Sequence, residues 1–138
     1  MPIHQATIEV KTRGAGLVDV TRQVSAIVDE SRTRTGTCTV FVQHTSASLV
    51  IQENADPAVL RDLERWLSDV APEKRPWEHD AEGPDDMPAH AKSAVTRTSE
   101  VIPISNGRLA LGTWQAIYLF EHRKAAHTRR LVVTVSGE

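Results

Sequence analysis

The sequence predicts an α+β domain with a mainly antiparallel β-sheet and about three helices. Three observations carry this. Alternating apolar stretches recur towards both ends of the chain. Apolar residues at helical spacing fill two stretches between them, and Asn106-Gly107 is a hairpin turn signal in the C-terminal third.

Taken in order, Ala6 to Lys11 alternates with Ile8 and Val10 on one face and reads as a short strand; Gly14 and Gly16 mark a turn. From Val20 to Ser31, Val20, Val24, Ile27 and Val28 recur at helical spacing, with Asp19 or Thr21 as N-cap and Gly36 past the end. Thr37 to His44 alternates again, placing Cys38, Val40, Val42 and His44 on one face. Ser48 to Gln52 is short and β-branched, an expected antiparallel return strand. Asp56-Pro57 starts a helix whose stripe is Leu60, Leu63, Leu67 and Val70. Pro72 to Pro88 is a long irregular segment, near whose end Asp85 or Asp86 caps a third helix running to about Arg97. Glu100 to Ile104, Thr113 to His122 and Leu131 to Val135 close the chain as strands.

Composition bounds the function. With 138 residues, 40% apolar and 25% charged, the chain reads as one domain over 1–138 with a real core. Sixteen basic against eighteen acidic residues give a net charge of −2 with no block of either sign, so neither nucleic acid nor membrane is an expected partner. The single cysteine, Cys38, excludes an internal disulfide and fits a reducing, cytoplasmic setting. Aromatic residues are only 4%, a thin supply that leans towards burial by oligomerisation.

Chemistry concentrates between Gln43 and Glu64, where His44 to Pro57 holds a histidine, three hydroxyls, two carboxamides and two carboxylates. A capped helix start beside Thr45, Ser46 and Ser48 suits a phosphate, although Asp56 is accounted for as the cap itself and Asn54 as a turn residue. Six histidines stand singly on separate elements. Such residues converge on a divalent ion when the fold brings them together, but no His-x-x-x-His pair announces it, and the residues by themselves favour hydrogen-bonded, partly buried structural histidines. Cys38 in a valine face reads as a core thiol.

His-Thr-Ser-Ala-Ser-Leu (44–49), Glu-Asn-Ala-Asp-Pro (53–57), Glu-Gly-Pro-Asp-Asp-Met-Pro-Ala-His (82–90), Asn-Gly-Arg-Leu-Ala-Leu-Gly-Thr-Trp-Gln (106–115) and Glu-His-Arg (121–123) resemble the YjbQ-like family, whose members are named secondary thiamine-phosphate synthase enzymes. The resemblance runs from about Ile8 to the C-terminus. It implies a compact α+β fold, a homotrimer, and a site between subunits where histidines hold a metal ion. Carried over by motif, His44, His90 and His122 are the implied ligands, with His79 ranked behind them. The implied reaction joins a pyrimidine methyl diphosphate to a thiazole phosphate and releases diphosphate. For it, Glu53, Asp56, Asp85 and Asp86 are the expected oxygen ligands or their partners. Ser46, Ser48, Asn54 and Arg108 are the expected phosphate donors, and Trp114 the expected stacking ring. Three imidazoles suit zinc, whereas diphosphate chemistry usually calls on carboxylates and magnesium. Two alternatives therefore stand beside the synthase: a zinc-dependent hydrolase with Glu53 or Glu121 as base, and a metal-stapled trimeric binding protein without turnover.

Overall fold

A computed structural model describes residues 2–138. In chain order the elements are β1 (Ile3–Lys11), β2 (Gly16–Asp19), α1 (Thr21–Ser31), β3 (Gly36–Val42), β4 (Ala47–Glu53), α2 (Pro57–Val70), α3 (Asp86–Val95), β5 (Ser99–Ser105), β6 (Arg108–Leu109), β7 (Gln115–Glu121) and β8 (Thr128–Gly137). The strands form two sheets, a five-stranded one in the order β1-β8-β3-β5-β6 and a three-stranded one in the order β2-β7-β4. Every strand pair in them is antiparallel. The α+β class with three helices is therefore observed.

The core lies between the inner faces of the two sheets and is closed by α1. Cys38, Val40 and Val42 of β3 meet Leu131, Val133 and Val135 of β8, while Leu49 of β4 and Ile117 and Leu119 of β7 come in from the smaller sheet. The helix α1 adds Val24, Ile27 and Val28. Cys38 is fully buried, and burial pushes its thiol up to about 11. It is a packed core residue.

Several local expectations are refined. Gly16–Asp19 is a strand, not only a turn, because it pairs with the far edge of β7. Asp19 still serves α1, its carboxylate accepting the Thr21 N–H at 2.9 Å. The helix ends at Arg32, which adopts φ 57°, so Gly36 is not its terminator. Gly36 instead lies against β8, where a Cβ would collide with the Ser136 carbonyl. The strand β4 does not return along β3. It crosses to the other sheet and pairs with β7 from Ala47↔Glu121 to Glu53↔Gln115. Asn106 and Gly107 take φ 53° and 76°, the paired left-handed conformations of a tight hairpin turn, and connect β5 to β6.

That crossing places the chemistry. The strand β7 is central in its sheet, with the core on one face and α2 and α3 on the other, so its residues from Ala116 to Glu121 are all buried. Tyr118 and Phe120 face away from Ile117, Leu119 and Glu121, as the alternation predicts. The polar C-terminal end of β7 thus sits under α3, beside the segment that joins β3 to β4.

Candidate metal centre

The first turn of α3 carries Asp86, and one turn later stands His90. A spacing of four puts both on one face of the helix. Pro88 is tolerated between them because the first turn has no intrahelical N–H bond to lose. Asp86 is buried, and its Oδ2 lies 2.7 Å from His79 Nε2 and 3.2 Å from His90 Nε2. Its Oδ1 accepts from Arg123 Nη1 at 2.7 Å. Arg123 is itself fixed by Asp85 (3.1 Å) and the Glu82 carbonyl (3.1 Å), so the loop after β7 braces the start of α3. Burial opposes the charge on Asp86, but the His79 hydrogen bond and the Arg123 charge outweigh it and hold the carboxyl below its usual range. His79 shifts the other way, raised chiefly by its hydrogen bond to Asp86.

The tautomer of His90 follows from its partners. Nδ1 faces the Thr45 carbonyl at 3.0 Å, and a carbonyl only accepts, so Nδ1 carries the hydrogen. Nε2 is then the nitrogen free to bind a cation. A bare lone pair 3.2 Å from a carboxylate oxygen is repulsive, and a proton or a metal ion between them removes the conflict. Orientation of a ligand imidazole by a carbonyl on its other nitrogen is a common support of metal sites. Among the described residues His79, Asp86 and His90 form a group whose ligand atoms all lie within 4.8 Å of one another. Two imidazoles and one carboxylate fit zinc or another transition ion and leave a coordination position for a ligand.

Of the ligands that the motifs implied, His90 stands in this group and His44 and His122 stand beside it. The segment from His44 to Ala47 runs between all three: His90 binds the Thr45 carbonyl, and His122 donates its backbone N–H to the Ser46 carbonyl at 3.3 Å. His44 Nε2 is occupied by the Arg130 N–H at 2.9 Å, and its Nδ1 lies 3.4 Å from the Arg129 guanidinium. Burial, then the Arg129 charge, lowers its pKa. His122 is 3% exposed and bonds Ser48 Oγ through Nε2 at 2.8 Å. Burial and then the Lys92 charge push it down to about 3. Among the described residues its Nδ1 has no partner, and the residue lines a cavity of about 160 Å³ with Phe120, Lys92 and Leu67.

The remaining candidates divide between the two ends of the β4–β7 pair. Glu121, Ser46 and Ser48 are at the histidine end. Glu121 is fully buried, accepting from Arg129 Nε (2.8 Å), Arg129 Nη2 and Thr12 Oγ1 (2.7 Å). Burial raises its pKa less than these bonds lower it, so it is held as a carboxylate. Ser46 Oγ accepts from Arg129 at 3.0 Å, and Ser48 Oγ accepts from Thr96 Oγ1 (2.7 Å) and shares a hydrogen bond with His122 Nε2. Glu53, Asn54, Asp56 and Trp114 lie at the other end, six strand steps or about 20 Å away. There Glu53 accepts the Ala55 N–H (2.9 Å), Asp56 accepts the Ala58 N–H (2.9 Å) as the cap of α2, and Asn54 donates to the Thr113 carbonyl (3.0 Å). Trp114 is 63% exposed. Arg108 is on β6, at the edge of the other sheet, beside a cavity under α1. One subunit therefore does not bring these five to the histidines.

Two members of the cluster were readable with more weight than the motifs gave them. Asp-x-x-x-His over 86–90 is a helical ligand pair in its own right, and reading only for His-x-x-x-His passes over it. His79 leaves no comparable local signal, since only the fold of the 72–85 loop returns it to α3. Arg123 has no signal beyond lying in the Glu-His-Arg motif.

The comparisons with known proteins agree along the whole chain. The description "UPF0047 protein YjbQ-like" matches residues 6–138. The chain is 54% identical to the UPF0047 protein sll1880 of Synechocystis over 98% of its length and 92% of that protein's. It is 41% identical to the UPF0047 protein YjbQ of Escherichia coli O157:H7, over 98% and 99%. Among solved structures, an uncharacterised conserved protein of the YjbQ/UPF0047 family from Clostridium acetobutylicum superposes with a TM-score of 0.89 at 37% identity, covering 95% of this chain and 99% of that one. A YbjQ-like protein of Sulfolobus solfataricus gives 0.88 at 28% identity, over 99% and 100%. The chain belongs to the YjbQ-like UPF0047 family.

Proposed function

We propose that the chain is a metal-dependent enzyme acting on a small phosphate-bearing molecule, with His79, Asp86 and His90 holding the ion. The observation that carries this is the convergence of two imidazole Nε2 atoms on one oxygen of a buried carboxylate whose other oxygen is held by Arg123. Zinc is the ion the donor set favours, with magnesium the alternative that diphosphate chemistry would ask for. Bound there, the ion supplies positive charge to a phosphate oxygen or lowers the pKa of a water. The chain's own part is orientation: the Thr45 carbonyl sets His90, and Arg123 keeps Asp86 ionised and aimed. His44 and His122, implied as ligands by the motifs, enter this reading through the Thr45–Ser46 segment that they and Arg129 fix in place.

The reaction that the resemblance implies, thiamine-phosphate synthesis from the pyrimidine diphosphate and the thiazole phosphate, is the first to test. Protein purified without a histidine tag is expected to carry stoichiometric zinc and to lose it in His90→Ala and Asp86→Asn. Condensation of the two precursors is expected to fall at least a hundredfold in the same variants. Metal-free wild type that still condenses the precursors at full rate would sink the reading.

Self-association as a homotrimer is part of the proposal, and the outer face of the five-stranded sheet supports it. Ile3, Gln5 and Thr7 of β1, Val132, Thr134 and Ser136 of β8, Thr37, Thr39 and Phe41 of β3, and Ser99, Val101 and Pro103 of β5 share that face in register. None of these twelve is charged, in a chain with 25% charged residues, although Glu9, Lys11 and Arg130 continue the same face at one end of β1 and β8. An uncharged stretch across four adjacent strands is the kind of surface that copies of a chain bury against one another. Sedimentation equilibrium at three protein concentrations gives the stoichiometry, and a monomer throughout would remove this part.

A further inference from the structure

The loop between α2 and α3 builds a second feature against the histidine cluster. A cavity of about 380 Å³ is lined by Arg75, Pro76, Trp77, His79, Asp80 and Pro84, among others. That volume is in the range of small-ligand sites. His79 belongs both to its wall and to the cluster, so a molecule in the cavity lies against the imidazole whose Nε2 faces Asp86 at 2.7 Å. Trp77 is half-buried and is anchored rather than loose: its indole N–H donates to the Pro72 carbonyl at 2.9 Å. The Arg75 guanidinium carbon stands 5.3 Å from the centre of the Trp77 ring, within cation–π range. Among the described residues no carboxylate comes within ion-pair distance of Arg75. Of the two carboxylates in the wall, Glu73 is matched by Lys124 at 2.6 Å, and Asp80 remains.

We infer that this cavity is the substrate-recognition pocket of the cluster and that it takes a planar aromatic anion, the ring against Trp77 and the anionic group towards Arg75. This rests on the metal-site reading, since it is the cluster that would act on the molecule held there. An aromatic ring and a guanidinium whose donors are not committed to a protein carboxylate are what such a molecule needs: a flat apolar contact and a fork for a phosphate or carboxylate. The prolines on either side, Pro76 and Pro84, restrict the loop and keep the wall in place at low entropic cost on binding. Trp114, the ring expected to stack on a substrate, is at the far end of β7 from the cluster, whereas Trp77 is two residues from His79.

The test is calorimetric titration of the full chain, with zinc as one probe and phenyl phosphate, benzoate, inorganic phosphate and benzyl alcohol as the others. Phenyl phosphate is expected to bind more tightly than inorganic phosphate and benzyl alcohol, and its order relative to benzoate decides which anion the fork prefers. Trp77→Ala is expected to weaken phenyl phosphate about tenfold or more, as removal of a stacking ring does. Trp77→Phe, which keeps a ring but not the Pro72 bond, is expected to recover most of that loss. Arg75→Gln is expected to reduce phenyl phosphate to the level of benzyl alcohol. Zinc affinity is expected to be the same in all three variants. Unchanged phenyl phosphate affinity in Trp77→Ala and Arg75→Gln, with zinc still bound, overturns the pocket and leaves the metal site standing. Zinc affinity that survives loss of His90 and Asp86 overturns the metal site instead.

Discussion

Arg123 Nη1 lies 2.7 Å from Asp86 Oδ1, and the opposite oxygen of the same carboxylate faces both His79 and His90. The guanidinium thus fixes the rotation of the one anionic group in the cluster and keeps it deprotonated without taking the oxygen that a metal would use. It touches neither histidine in these bonds.

Removing that support is expected to loosen the ion without removing a ligand. Arg123→Ala should weaken zinc binding about 10–100-fold, the usual cost of losing the partner of a ligand. Arg123→Lys should recover only part of it, because an ammonium cannot hold Asp85, Asp86 and the Glu82 carbonyl with one planar fork. Competition against a chromophoric chelator measures both. Equal affinity in Arg123→Ala and wild type would show that Asp86 orients itself.

Glu121 was expected to act as a base, and its surroundings predict a different consequence of mutation. Its carboxylate is fully buried, bound twice to Arg129, and lowered in pKa by those bonds despite burial, which makes it a poor proton acceptor. Glu121→Gln leaves the guanidinium of a 4%-exposed arginine without its counter-charge. Breaking one side of a buried pair costs about 3–5 kcal/mol. Urea unfolding of the variant should show a loss of that order, with the ordinary denaturant slope. A variant as stable as wild type but inactive would restore the catalytic role.

Asp56 offers the complementary case. It accepts the Ala58 N–H at the N-terminus of α2, and Pro57 follows it as the first helical residue. Asp56→Ala should cost about 1 kcal/mol of stability, the typical worth of a cap. Zinc content should not change, because the cap is at the opposite end of the β4–β7 pair from His122. Zinc loss on this substitution would mean that a second subunit returns Asp56 to the site.

The fold was legible because its signals are local. Alternation in β3, β7 and β8, the Asp56-Pro57 start and the Asn106-Gly107 turn each depend on a few neighbouring residues, and each is found where the pattern put it. Convergence is not local. His90 was placed by its motif, but whether Asp86 Oδ2 meets His79 depends on how the 72–85 loop folds back, and no periodicity records that. The destination of β4 was equally hidden. A strand five residues after β3 reads as its hairpin partner, yet β4 crosses to β7 and so carries Glu53, Asn54 and Asp56 away from the histidines. The polar cluster between Gln43 and Glu64 was real in sequence and is divided in space.

His122 sets the acid side of the stability profile. Its ring is held neutral with a pKa of about 3 by burial and by the Lys92 charge. In the unfolded chain the same ring titrates at roughly 6.5. On acidification the unfolded state therefore takes up the proton first. The contribution is whole above pH ~6.5 and is lost as the pH falls towards 3, at a slope of up to about 1.4 kcal/mol per pH unit. His44, also lowered, adds the same sign as the pH falls below ~6.5. Glu121, Asp85 and Asp86 are lowered as well, but as carboxylates they lose their contribution at lower pH, below ~4.5. His79, raised by Asp86, acts oppositely: its contribution is present below ~6.5 and is lost as the pH rises through its folded value. From pH 6 to 5 the two lowered histidines reduce stability as the pH falls, while Glu100, raised by burial, acts with the opposite sign. The fall of the urea midpoint over this interval should be less steep in His122→Gln, which can still reach Ser48, than in wild type. The imidazole signals of His122 should stay at their neutral shifts by NMR down to pH 4. A His122 resonance that titrates near 6.5 in the folded protein would show that the ring is open to water, and that its unpartnered Nδ1 is solvated.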